Sequence, residues 1–75
     1  MEIRRAEIKT EFIKLDALLK YSGAAITGGE AKQYIEMKQV LVDGQPCMMR
    51  RKKVYPGQKV IVGGQIEIHV EREEK

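Results

Sequence analysis

Hydrophobic positions in this chain follow two different periods, and the changes between them outline the elements. Ala6, Ile8, Thr10 and Phe12 alternate with Arg5, Glu7, Lys9 and Glu11, which predicts a half-buried strand over residues 6–12. Leu15, Leu18 and Leu19 then fall at i, i+3, i+4 spacing, as on one face of a short helix that stops near Ser22 and Gly23. Gly23 suits the end of that helix because it takes the left-handed conformation without a Cβ clash.

A second helix starts at Thr27-Gly28-Gly29-Glu30, which has the S/T-x-x-E form of a capping box. There the Thr27 and Glu30 side chains would each accept from a backbone N–H at the other end of the box. Ala31, Tyr34, Ile35 and the stem of Lys38 share the side expected to pack down. Lys32, Gln33, Glu36 and Gln39 share the open side. After Gln39 the pattern changes to strands. Val40-Leu41-Val42 leads into Asp43-Gly44, a strong hairpin signal, and a return strand is expected over residues 45–49. Pro56-Gly57 fits a type II turn, residues 59–62 form a strand, and Gly63-Gly64 makes another turn. Ile66, Ile68 and Val70 alternate with Glu67, His69 and Glu71, and the charged residues 71–75 are expected to fray. The fold class that buries these stripes is α+β, with two short helices packed on a small, mainly antiparallel sheet. The 75 residues are expected to form a single domain.

Composition narrows the chemistry. Apolar residues make up 43% of the chain and aromatics 5%, so a mainly aliphatic core is implied. A lone Cys47 and a lone His69 allow neither an internal disulfide nor a closed metal cage, and no cofactor or metal is expected. Glu2, Arg4 and Arg5 interrupt any leader-like apolar start, and no stretch is long enough to span a bilayer. These features suggest a reduced, cytoplasmic setting and no membrane partner. The formal net charge of +3 is unevenly spread. Nine Lys/Arg stand against four acids between Lys14 and Lys59, whereas residues 71–75 hold three acids and two bases. A basic middle is the footprint of a phosphate-backbone binder, although a solvated surface has the same composition.

Arg50-Arg51-Lys52-Lys53 is the most pointed feature. Four adjacent cations repel one another, and contact with a polyanion would relieve that repulsion with release of counterions. The competing reading is a solubilising loop. Lys32 lies on the open side of the second helix near the Gly28 and Gly29 amides, where a phosphate could sit. Tyr34 falls on the packed side, whereas Tyr55, between the basic run and a turn, is the better candidate for a base or sugar contact. His69 sits among Glu67 and Glu71 with no nucleophile near in sequence, and Cys47 has no CxxC partner. Asp16 and Asp43 read as capping and turn residues. No constellation for catalysis stands out, so the expectation is a protein that is not an enzyme.

Four segments in order carry a resemblance: Lys14-Leu15-Asp16-Ala17-Leu18-Leu19-Lys20, Thr27-Gly28-Gly29-Glu30-Ala31-Lys32, Val40-Leu41-Val42-Asp43-Gly44 and Arg51-Lys52-Lys53-Val54-Tyr55-Pro56-Gly57. Together, over residues 14–62, they resemble the RNA-binding domain named after small-subunit ribosomal protein S-four, also called the αL motif. The short stand-alone bacterial YaaA-like members, with a strand before the first helix, are the most similar. The resemblance implies binding to structured RNA, chiefly ribosomal RNA or a ribosomal subunit precursor, and a role in large-subunit maturation. Carried onto matching positions, it implies RNA contacts by Thr27, Lys32, Lys38, Arg50, Arg51, Lys52 and Lys53. Two positions depart from the family pattern: Gly28 stands where Arg commonly follows the capping Ser/Thr, and Gln58 where Asp follows the Pro-Gly turn.

Two other classes fit parts of the sequence. A ubiquitin-like sulfur carrier would need a C-terminal Gly-Gly carboxylate, and Gln65 to Lys75 follow Gly63-Gly64. An adaptor docking an acidic protein on the same basic surface is compatible with the charge. The RNA reading predicts a positive groove between the second helix and the basic hairpin, with phosphate contacts positioning the RNA and its shape selecting it.

Overall fold

The structure is a computed structural model that describes residues 1–73. Seven strands and two helices follow in the order β1 (Glu2–Ile8), β2 (Ile13–Lys14), α1 (Leu15–Tyr21), α2 (Gly28–Glu36), β3 (Val40–Val42), β4 (Gln45–Pro46), β5 (Lys53–Val54), β6 (Lys59–Val62) and β7 (Ile66–Arg72). Five strands form one sheet in the order β1-β7-β6-β3-β4, and β2 pairs with β5 in a separate two-stranded ribbon. The main sheet is antiparallel except at β1, which runs parallel to β7 with Glu2 opposite Ile66 and Ile8 opposite Arg72. This is the α+β arrangement expected from the hydrophobic pattern.

One face of the sheet is apolar. Ala6, Ile8, Val40, Val42, Val60, Val62, Ile68 and Val70 are buried there and share a single core with Leu15, Leu18 and Leu19 of α1 and Ala31 and Ile35 of α2. No polar side chain is buried among the described residues. The period-two and helical stripes therefore place the core correctly. Asp43 and Gly44 both take positive φ, 51° and 85°, the geometry of the two-residue turn that joins β3 to β4. Gly57, with φ 97°, and the bond from the Gln58 N–H to the Tyr55 carbonyl at 3.1 Å close the Pro-Gly turn. Gly23, with φ 80°, follows the C-cap Ser22 of α1.

The structure departs from expectation at several boundaries. The first strand is displaced towards the N-terminus: it ends at Ile8, and residues 9–12 turn away, with the Thr10 hydroxyl donating to the Phe12 carbonyl. Pairing with β7 fixes that register. Ile3 lies on the other face from Ala6 and Ile8, which hid the first half of the strand from the alternating pattern. The return strand expected over residues 45–49 stops at Pro46, whose missing N–H limits the ladder, and residues 47–52 are irregular. Helix α2 ends at Glu36 with Met37 as C-cap, so Lys38 is not on its packed side. It sits beyond the helix with φ 60°. The capping box is offset: Thr27 Oγ1 accepts from the Glu30 N–H at 3.1 Å, but the Glu30 carboxylate accepts from Ile26 rather than Thr27, at 3.0 Å. Glu71 and Arg72 belong to β7 and do not fray, because β1 pairs alongside them. Of the expected frayed tail, residues 74–75 lie outside the described residues.

Candidate nucleic-acid interface

The β2–β5 ribbon organises the basic side of the molecule. Ile13 pairs with Val54 and Lys14 with Lys53. Val54 is completely buried and Ile13 packs against the core, so the ribbon is pinned by its inner face. Its outer face then opposes two lysines directly, an arrangement that costs stability in a strand pair unless something anionic compensates it. Phe12 and Tyr55 flank the lysines, their ring centroids 5.8 Å apart and tilted by 49°. The Lys53 ammonium lies 4.9 Å from the Phe12 ring centroid, a cation–π contact that holds the lysine stem against the aromatic pair. Tyr55 is 42% exposed. The outer surface thus interleaves cations with aromatic rings, the combination that accepts both phosphates and bases.

The preceding loop is tied down through its backbone. Helix α1 has no side-chain cap, and its first two N–H groups, from Leu15 and Asp16, donate to the carbonyls of Lys52 and Arg50, each at 2.9 Å. The same bonds that satisfy the helix start hold the cationic loop against it. Asp16 adds a negative charge to that first turn and accepts from the Ala17 N–H. Arg50, Arg51, Lys52 and Lys53 are all exposed, and none makes an ion pair with an acid among the described residues.

Asp43 links this region to the sheet. One carboxylate oxygen accepts from the Lys59 N–H at 3.0 Å and the other from the Gln58 side-chain amide at 2.9 Å. The Lys59 N–H, then the Gln58 amide, hold its carboxyl below the ordinary aspartate range. Gln58 also accepts from the Tyr55 N–H at 2.8 Å. Gln58, the departure from the family's Asp, therefore bridges two turns through an amide that both donates and accepts, which a carboxylate could not do.

The expected contact residues divide between places. Arg50, Arg51, Lys52, Lys53 and Tyr55 come together on the loop and ribbon. Thr27 caps α2, and Lys32 is exposed on that helix with Glu36 at 3.9 Å, a surface pair of little strength that leaves the ammonium available. Lys38 lies past the opposite end of α2, about 13 Å or more from Thr27 at 1.5 Å of rise per residue. Lys14 and Phe12 are the residues that sequence reasoning missed. Lys14 was visible as the residue before the leucine helix, but its opposition to Lys53 exists only once the ribbon forms. Tyr34 is half-buried against the core, as its helical position implied. His69 is half-buried on the open sheet face and bonded to Glu67, whose carboxyl this contact holds below the ordinary range. Cys47 packs against the core edge. Among the described residues, no three His, Cys, Asp or Glu side chains gather as metal ligands, and no helix is long and apolar enough to cross a membrane.

Two helices on a mainly antiparallel sheet, with a basic hairpin loop fastened to the first helix, define the class: the chain belongs to the S4 domain family, which matches residues 6–71. The likeness extends to an individual protein. Over 57 residues the chain is 37% identical to the "Probable ribosome maturation protein RlbA" of Bacillus subtilis (strain 168), an alignment covering 76% of this chain and 80% of that protein.

Proposed function

We propose that this chain acts as a single RNA-binding domain without catalytic activity, that it binds structured ribosomal RNA in the cytoplasm, and that it assists maturation of the large ribosomal subunit. Membership of the S4 domain family and similarity to a ribosome maturation protein support an RNA-binding, ribosome-related role. The observation that carries the reading onto this chain is the directly opposed Lys14 and Lys53, contiguous with three further cations that have no acid partner among the described residues. Folding alone gains nothing from this arrangement, and a phosphate backbone relieves it by displacing condensed counterions. Lys14 and residues 50–53 then position the backbone, Tyr55 contacts a base or sugar, and Lys32, Thr27 and Lys38 extend the footprint along α2. Shape selects the target more than base edges do, as the deep, narrow groove of paired RNA requires.

Sedimentation of cell lysate through sucrose gradients tests this directly. The protein is expected to migrate with large-subunit particles or their precursors, and to be released by ribonuclease and by high salt. A protein that stays at the top of every gradient contradicts ribosomal association. One whose complex survives ribonuclease is an adaptor for a protein partner.

A further inference from the structure

A groove of about 380 Å³ opens on the far flank of the basic loop, between that loop and the β3–β4 turn. Pro46, Cys47, Met48 and Met49 give it apolar walls, and Gln45 and Lys52 line it as well. The Asp43 carboxylate at its turn end is engaged by the Gln58 amide and the Lys59 N–H. Met48 and Met49 expose 54% and 66% of their surface immediately before four adjacent cations. Nothing in the packing accounts for that exposure, since Cys47 beside them already seals the core edge. A phosphate backbone bound to the cations would not account for it either, because a thioether offers phosphate no useful contact.

An unpaired nucleobase satisfies both requirements. Its flat face suits flexible, polarizable methionine side chains, which make favourable contacts with aromatic rings. Its edge meets the exposed Gln45 amide, which both donates and accepts, while Lys52 is placed for the attached phosphate. A base inside a continuous duplex cannot enter, because its faces are covered by its neighbours. Resting on the RNA-binding reading above, we propose that this groove receives a single unpaired base, so that the protein selects RNA carrying a bulged or unstacked nucleotide over uninterrupted duplex. The strong positive charge of the adjoining loop favours this polyanionic occupant over an apolar protein segment.

The test uses the full chain and two fluorescein-labelled hairpin RNAs, one with a fully paired stem and one with a single 2-aminopurine bulged from the same stem. Anisotropy titrations are expected to show the bulged hairpin bound about tenfold more tightly, the scale of one stacked base. Its 2-aminopurine emission should change on binding. In the Met48→Ser, Met49→Ser double variant the preference and the emission change should disappear, while affinity for the paired hairpin and the circular dichroism spectrum are retained. Equal affinity of the unaltered protein for both hairpins overturns the groove and leaves RNA binding standing. A preference that persists in the double variant also overturns it, since the base must then bind elsewhere. Failure to bind either hairpin overturns the RNA-binding reading and this inference with it.

Discussion

The open face and β1 edge of the main sheet, and the basic ribbon and loop, are both rich in charge, yet acid and base are mixed on the first and segregated on the second. On the sheet side three cations around β1 have acid partners, whereas Lys59 and Arg72 make no ion pair among the described residues. Arg4 reaches Glu2 at 2.6 Å, Arg5 reaches Glu71 at 3.5 Å, and Lys9 lies 4.0 Å from Glu73. On the ribbon side Lys14 faces Lys53, and Arg50, Arg51 and Lys52 have no acid partner among the described residues. The Arg5–Glu71 and Lys9–Glu73 pairs run between the β1 and β7 sides, whereas the proposed RNA ligand would compensate the unpaired charges of the ribbon and loop. Net charge, which averages the two, hides this difference.

The largest effect expected of any variant is on the ribbon side. Replacing Arg50, Arg51 and Lys53 together with Glu should weaken binding to a ribosomal RNA fragment by at least about a hundredfold. The slope of log affinity against log salt should fall by about three. The melting temperature should hold or rise, because like-charge repulsion is removed. A Val54→Ala variant attacks the same region from beneath. Loss of a fully buried side chain should cost about 2 kcal/mol, lower the melting temperature by roughly 8–16 °C, and weaken RNA binding as the ribbon loosens.

Acid should act on the junction between the two regions. The Asp43 carboxyl is held below its ordinary range by the Lys59 N–H and the Gln58 amide, so its contribution is complete above the unfolded value of about 3.9 and is lost as pH falls through the lower folded value. Melting temperature should therefore drop on acidification below about pH 4, and less steeply in Asp43→Asn than in the unaltered protein. The smallest effect belongs to the sheet side. Glu71→Lys should change stability by no more than about 1 kcal/mol, the range of an exposed pair, and leave RNA affinity within about twofold.

The parts that sequence made legible are those set by local chemistry. Leu15, Leu18 and Leu19 marked α1, Thr27 marked the start of α2, and the glycine turns at Gly44, Gly57 and Gly63-Gly64 separated the later strands correctly. What stayed hidden depends on contacts distant in sequence. The parallel pairing of β1 with β7 moved the first strand towards the N-terminus and ordered Glu71 and Arg72. The two-residue ribbon is too short to leave a periodic signal, yet it turns Lys14 and Phe12 into part of the basic surface. Residues 50–53 stood out from their composition alone, but their lack of acid partners could be seen only after Arg4, Arg5 and Lys9 were found beside Glu2, Glu71 and Glu73.

The most direct test of this account compares two substitutions that change net charge equally. Arg51→Glu alters the unpaired loop, and Lys9→Glu alters the exposed lysine near Glu73 on the sheet side. Affinity of each for the same ribosomal RNA fragment would be measured at fixed salt, with circular dichroism confirming the fold. The account predicts a loss of about tenfold or more for Arg51→Glu and less than about twofold for Lys9→Glu. Equal losses would contradict it, because the RNA would then be responding to total charge and not to the unpaired face.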